Sequence, residues 1–142
     1  MKIEVPNHDD VTRIAQQLLH ADSVVLSVAG KHLTGAVSDL VLVQKVIDTK
    51  AVEREATYSL QALGIAFGIV FVNQNKNYDW WMVEDEYGRD PSIQYKETSI
   101  RVFPQTMISK RVEDGQTVNV REMYDGLLEQ LVDIRKEISA DE

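Results

Sequence analysis

From Leu63 to Val72 the chain would be apolar on every side of a helix, and no other feature constrains its fold as strongly. A helix with no polar face has to be surrounded by protein or by lipid. The whole apolar run, Ala62 to Val72, is eleven residues long, about half of the roughly 20 needed to cross a bilayer, so protein must do the surrounding. The run forms the second half of a helix expected over 52–72, whose start is amphipathic through Glu53, Arg54 and Glu55. A chain of 142 residues, 44% hydrophobic and 27% charged, has enough material to wrap one such core. The prolines, Pro6, Pro91 and Pro104, are scattered punctuation rather than a linker, so residues 1–142 are expected to form a single domain.

The wrapping elements are legible in the hydrophobic period. Asn7, with Asp10 three positions on, offers a cap for a helix over 8–29 in which Val11, Ile14, Ala15, Leu18 and Leu19 recur at helical spacing. Val24 to Val28 is β-branched, but the period continues through it to a stop at Gly30. A second helix is expected over 38–49, with Leu40, Val43, Val46 and Ile47 on one face. After the turn chemistry of Asn73 to Asn77 the period changes from about 3.6 to 2. Three short antiparallel strands follow, at about 80–84, 92–95 and 99–103, because the gaps between them are too short for crossovers. Pro104 opens a short helix over 105–113, and a last helix over 120–138 carries the stripe Met123, Leu127, Leu131, Ile134 and Ile138. Helices, then a meander, then helices read as α+β: a small three-stranded antiparallel sheet packed with helices.

Composition removes whole classes of chemistry. Without cysteine there is no disulfide framework, thiolate zinc site, iron–sulfur cluster or thiol nucleophile, and a cytoplasmic setting is favoured. Fifteen basic against twenty-three acidic residues give a net charge of −8, which argues against nucleic-acid and anionic-membrane partners. His8, His20 and His32 lie twelve residues apart, each turned about 120° from the last along a helix, so they do not converge on a metal. No phosphate-loop, nucleophile-elbow or zinc-protease motif occurs, and no catalytic residue, metal ligand or cofactor is assigned. A serine triad, defined by geometry rather than order, would escape such a scan.

Two groups stand out as candidate binding residues. Glu84, Asp85, Glu86 and Asp90 put four carboxylates within seven residues, beside Arg89, at the tip of the expected hairpin; the alternating ligand pattern of a calcium loop is missing. In the expected meander, Trp81 and Val83 join Ile93, Tyr95, Ile100 and Val102 on one face. Trp80 and Met82 then face the other way, beside Gln94 and Arg101, as an aromatic and cationic patch of interface-like composition. The candidate set is therefore Trp80, Met82, Asp85, Glu86, Arg89, Asp90 and Arg101. Gly64 and Gly68 lie four apart on the apolar helix and mark close packing inside the domain.

One stretch is long and specific: Phe103-Pro104-Gln105-Thr106-Met107-Ile108-Ser109-Lys110-Arg111. Together with Ser38-Asp39-Leu40, Leu42-Val43-Gln44, Leu63-Gly64, Gly68, Trp80, Val83 to Asp90 and Asp125-Gly126-Leu127, it resembles a family of bacterial proteins known as domain of unknown function 3806. The resemblance implies an α+β cytoplasmic domain and brings no activity or site residues with it. Lys110 and Arg111, which fall within it, suit the negative end of the short helix.

The residues favour a non-enzymatic binding or regulatory module that contacts a protein, a small ligand or a second copy of itself. One alternative is a hydrolase or metal-assisted enzyme using Asp85, Glu86 and Asp90. Another is an immunity-type protein whose acidity neutralises a basic toxin.

Overall fold

The structure is a computed structural model and describes residues 1–141. The chain runs β1 (Lys2–Glu4), α1 (His8–Ala29), α2 (Asp39–Asp48), α3 (Thr57–Gln74), β2 (Tyr78–Asp85), β3 (Gly88–Tyr95), β4 (Arg101–Val102), a 3-10 turn (Pro104–Thr106), α4 (Met107–Glu113) and α5 (Val120–Asp141). This is the α+β class expected, with an antiparallel sheet of four strands in the order β1-β2-β3-β4 rather than three. The added strand is β1, which is three residues long and lies just ahead of Pro6, too short to show alternation.

Local chemistry explains most boundaries. The Asn7 side chain accepts from the Asp10 N–H and the Asp10 carboxylate accepts from the Asn7 N–H, both at 2.9 Å, a reciprocal cap for α1. Gly30 ends α1 in the left-handed conformation at φ 69°. Helix α3 starts at Thr57, later than the expected 52, because Glu53 to Ala56 form a turn in which the Ala56 N–H donates to the Glu53 carbonyl. The expected third strand, 99–103, contracts to Arg101–Val102. Strand β3 instead reaches back to Gly88, so Arg89, Asp90 and Pro91 are strand rather than loop.

Helix α3 is the central element. Ten of its residues are buried, among them Leu60, Leu63, Ile65, Phe67, Val70 and Phe71. Around it close Ala21 and Val25 of α1, Leu40, Val43 and Val46 of α2, Ile108 of α4, and Tyr124, Leu127 and Leu131 of α5. Gly64 and Gly68 seat the 3-10 turn. A Cβ on Gly64 would lie 2.4 Å from the Pro104 carbonyl oxygen, and one on Gly68 would lie 2.7 Å from the Trp80 ring. The glycines thus let Pro104 and Trp80 reach the helix backbone, the intradomain packing expected of them.

The sheet register corrects the expected faces. Trp80 pairs with Ile93, Met82 with Pro91, and Ile93 with Val102, so these side chains share one face with Tyr78 and Tyr95. Trp81 pairs with Ser92, and Gln94 lies between Asp79 and Arg101. Trp80 and Met82 therefore do not stand beside Arg101 and Gln94; Trp81 does. The tight turn at Glu86–Tyr87, which pairs Asp85 with Gly88, sets this parity, and a parity error of one residue exchanges the two faces.

Candidate functional site

The helix-facing side of the sheet is closed by aromatic packing at one end and by an ion cluster at the other. Tyr78 and Phe71 meet edge to face at 5.1 Å, and the Arg135 guanidinium of α5 lies 4.7 Å from the centre of the Tyr95 ring. At the other end Arg89 donates Nε to Asp10 Oδ1 at 2.9 Å, Nη2 to Asp10 Oδ2 at 2.6 Å and Nη1 to Glu4 Oε1 at 2.5 Å. One guanidinium thus ties β3 to β1 and to the first turn of α1. The Asp10 side chain is fully buried, and the Arg89 hydrogen bonds hold its carboxyl down to about 2 against an ordinary 3.8, ahead of the Asn7 N–H and the Arg13 charge. The same bonds raise Arg89. A cavity of about 230 Å³ opens beside this cluster, lined by Arg13, Gln17, Tyr58, Met82, Arg89 and Gln105 among others. The carboxylates at Arg89 already occupy its strongest donors, so the arrangement is a structural clasp.

The other side of the sheet has a different character. By register and alternation it carries Ile3 and Val5 from β1 and its extension, Asp79, Trp81, Val83 and Asp85 from β2, Asp90, Ser92 and Gln94 from β3, and Arg101 and Phe103 from β4 and its extension. The main core takes in Tyr78 and Ile93 from the sheet, with Trp80, Tyr95 and Val102 partly buried against it; Ile3, Trp81, Val83 and Phe103 lie outside it. Trp81 and Phe103 flank Ser92, which is buried and donates its hydroxyl to the Trp81 carbonyl at 2.8 Å. Arg101 donates Nη2 to Gln94 Oε1 at 2.8 Å and lies across Gln94, which is itself buried. Val5 is 65% exposed and Phe103 39%, while Trp81 is half-buried. The result is an apolar stripe of Ile3, Val5, Trp81, Val83 and Phe103, in which Val83 is buried and Val5 and Phe103 are exposed, and which lies outside the main core of the described residues.

Its borders are acidic. Asp85 and Asp90 stand at the hairpin end and Asp79 at the opposite end, all exposed. Among the described residues none of the three forms an ion pair, though Asp85 Oδ1 accepts the Tyr87 N–H at 2.8 Å. Glu86 and Tyr87 form the turn itself, Tyr87 being 88% exposed.

The expected candidates therefore divide. Arg101 and Asp90 lie on the helix-free side with Asp85, and Glu86 lies at its rim; Trp80, Met82 and Arg89 belong to the helix-facing side. Sequence reasoning missed Trp81, Phe103, Ile3 and Val5. The signal that would have found them was the two-residue turn, whose parity decides which tryptophan joins Gln94.

Other parts of the molecule offer partial chemistry. Ser59 Oγ lies 2.8 Å from His20 Nε2, a serine–histidine contact hidden from sequence order. Asp22, two residues on, is held instead by His32 Nδ1 and the Leu33 N–H, both at 2.7 Å, and so does not orient His20. Asp39, buried at the start of α2, accepts from the Thr34 and Gly35 N–H groups and fastens the α1–α2 loop. Other cavities are one of about 560 Å³ between Ile47, Val52, Leu60, Leu63 and Val112, one of about 750 Å³ between α2 and the start of α5, and one of about 460 Å³ beside Ser23, Val28, Val52 and Ser59. Asp85, Glu86 and Asp90 line none of these cavities. Among the described residues no three His, Asp or Glu side chains are grouped to hold a metal ion. No helix among them is long and apolar enough to cross a membrane.

No curated protein matches the chain. A crystal structure of a protein from Bacteroides thetaiotaomicron has the same fold, with a TM-score of 0.84 at 20% identity over 91% of this chain. The match takes up 47% of that protein, so the chain spans about half the solved relative's length. A family model matches residues 39–124, the span from α2 through the glycine pair, the hairpin and the Pro104 turn into α5. That match covers more than half of the chain, which therefore belongs to the family described as Domain of unknown function (DUF3806).

Proposed function

We propose that the protein is a non-enzymatic binding module that engages a protein partner through the helix-free side of its sheet. The observation that carries this reading is an apolar stripe, with Val5 and Phe103 exposed and Trp81 half-buried, on a face that lies outside the main core of the described residues. Tryptophan and arginine are the residue types most enriched among energetically dominant interface contacts, and Trp81 lies on the same face as Arg101. The rigid sheet presents this stripe at little entropic cost, because its backbone is ordered before the partner arrives. The lack of cysteine supports a cytoplasmic setting for such a module.

Affinity capture from cell extract with the wild-type protein and the Trp81→Ala and Phe103→Ala variants tests the reading. Partners recovered by wild type should be lost with both variants and kept by Tyr58→Ala, which alters an exposed aromatic on the helical side. Retention of every partner by both face variants, with their melting temperatures near wild type, would remove the basis for the proposal.

A further inference from the structure

Resting on that reading of the sheet face, we propose that its occupant is a cationic polypeptide segment with an apolar centre. The charges of the sheet balance on one side and not on the other: Lys2 and Arg89 share the helix-facing side with Glu4 and Glu84. Lys2 lies near Glu4 at 3.7 Å and Arg89 within the clasp. Among the paired strand residues described, the helix-free side keeps Asp79, Asp85 and Asp90 against one cation, Arg101, whose Nη2 already donates to Gln94. The face is therefore anionic around an apolar middle, within a chain of net charge −8.

Distance favours a polymer. Asp79 and Asp85 are six residues apart on one strand, about 20 Å at strand rise, so one ligand reaching both ends is longer than a typical metabolite. The stripe between them needs aliphatic or aromatic groups, while the ends need Lys or Arg. A polypeptide with basic residues on either side of an apolar core supplies both. A second copy of this chain would set Asp79, Asp85 and Asp90 against a like-charged face, which electrostatics opposes. Nucleic acids and anionic lipid surfaces are repelled for the same reason.

The test uses two synthetic peptides long enough to span the face, one alternating Lys with Leu and one alternating Glu with Leu. Titration follows tryptophan emission at physiological ionic strength. The Lys–Leu peptide should bind saturably and the Glu–Leu peptide should not. The variant Asp79→Asn/Asp85→Asn/Asp90→Asn should lose roughly tenfold in affinity. A charge-matched control on exposed positions of α5, Glu122→Gln/Glu129→Gln/Asp133→Asn, should lose less than about twofold, the residue of long-range attraction.

Equal losses in the two triple variants, or equal binding of both peptides, overturn the cationic partner while leaving the face reading in place. Binding of the Lys–Leu peptide that is indifferent to Trp81→Ala and Phe103→Ala overturns the face reading itself. Failure of the wild-type protein to bind the Lys–Leu peptide, or its sedimentation as a dimer that Trp81→Ala dissociates, overturns the proposal in favour of another occupant.

Discussion

Trp80 and Trp81 are neighbours with the same side chain and opposite roles. Trp80 points at α3, where the missing Cβ of Gly68 makes room for its ring, and it is partly buried against the main core. Trp81 points away from the helices, flanks Ser92 and lies outside that core. The same indole thus packs against the main core at one position and lies outside it at the next. What separates them is the pleat of a strand, which sends successive side chains to opposite faces. The helix-facing side satisfies its own charges through the Arg89 clasp, whereas the helix-free side leaves three aspartates open to solvent. A face that neutralises its charges internally is built for stability. One that leaves them open has charge to offer a partner.

The contrast can be broken most directly by truncating the two tryptophans. Trp80→Ala should cost about 4 kcal/mol, because the ring and its seat at Gly68 are lost together. Trp81→Ala should cost about 1 kcal/mol or less, since its ring lies outside the main core. Urea denaturation of both variants measures the gap, and equal losses would mean that the sheet has no free side. Arg89→Met comes next, leaving the buried Asp10 carboxylate without its cation; the melting temperature should fall by roughly 10 °C at neutral pH.

The sign of the acid dependence follows from the depressed Asp10 carboxyl. Its contribution to stability is fully present above the unfolded value of 3.8 and is lost as pH falls through about 2. The stability difference between wild type and Arg89→Met should therefore be largest above pH 4 and shrink toward pH 2. Melting curves across that window read it, and a difference that does not change with pH would show that the clasp acts through packing instead.

Smaller effects sharpen the comparison within single helices. Gly64→Ala should cost about 2 kcal/mol, because its new Cβ meets the Pro104 carbonyl oxygen at 2.4 Å. Gly126→Ala, on α5 with nothing within 4 Å, should gain about 0.5–1 kcal/mol from helix propensity alone. Thermal unfolding of the pair checks both signs.

Much of the fold was legible because its causes are local. The Asn7 and Asp10 cap, the Gly30 stop, the apolar girdle of Leu63 to Val72 and the entry at Pro104 each act within about three turns of chain or fewer. Strand β1 was not legible: three residues cannot establish a period, and only pairing of Ile3 with Val83 makes them strand. The candidate site was half legible. The hairpin carboxylates are visible in composition, but which tryptophan shares their face is not, because parity across the turn is not written in either strand alone.

Asp10 illustrates the same division. Its role in capping α1 follows from its spacing to Asn7, while its partnership with Arg89, seventy-nine positions away, follows only from folding.

By itself the sequence determined that a girdled helix must sit at the centre, that helices flank a meander, and that no cysteine chemistry is available. Periodicity, caps and composition are short-range properties, and each is complete within a few residues. Only the tertiary structure decided which side of the sheet faces the helices, and hence which tryptophan packs against the core. That choice depends on hydrogen-bond register between strands and on the glycine gap in α3 that admits one ring, and neither exists until distant segments meet.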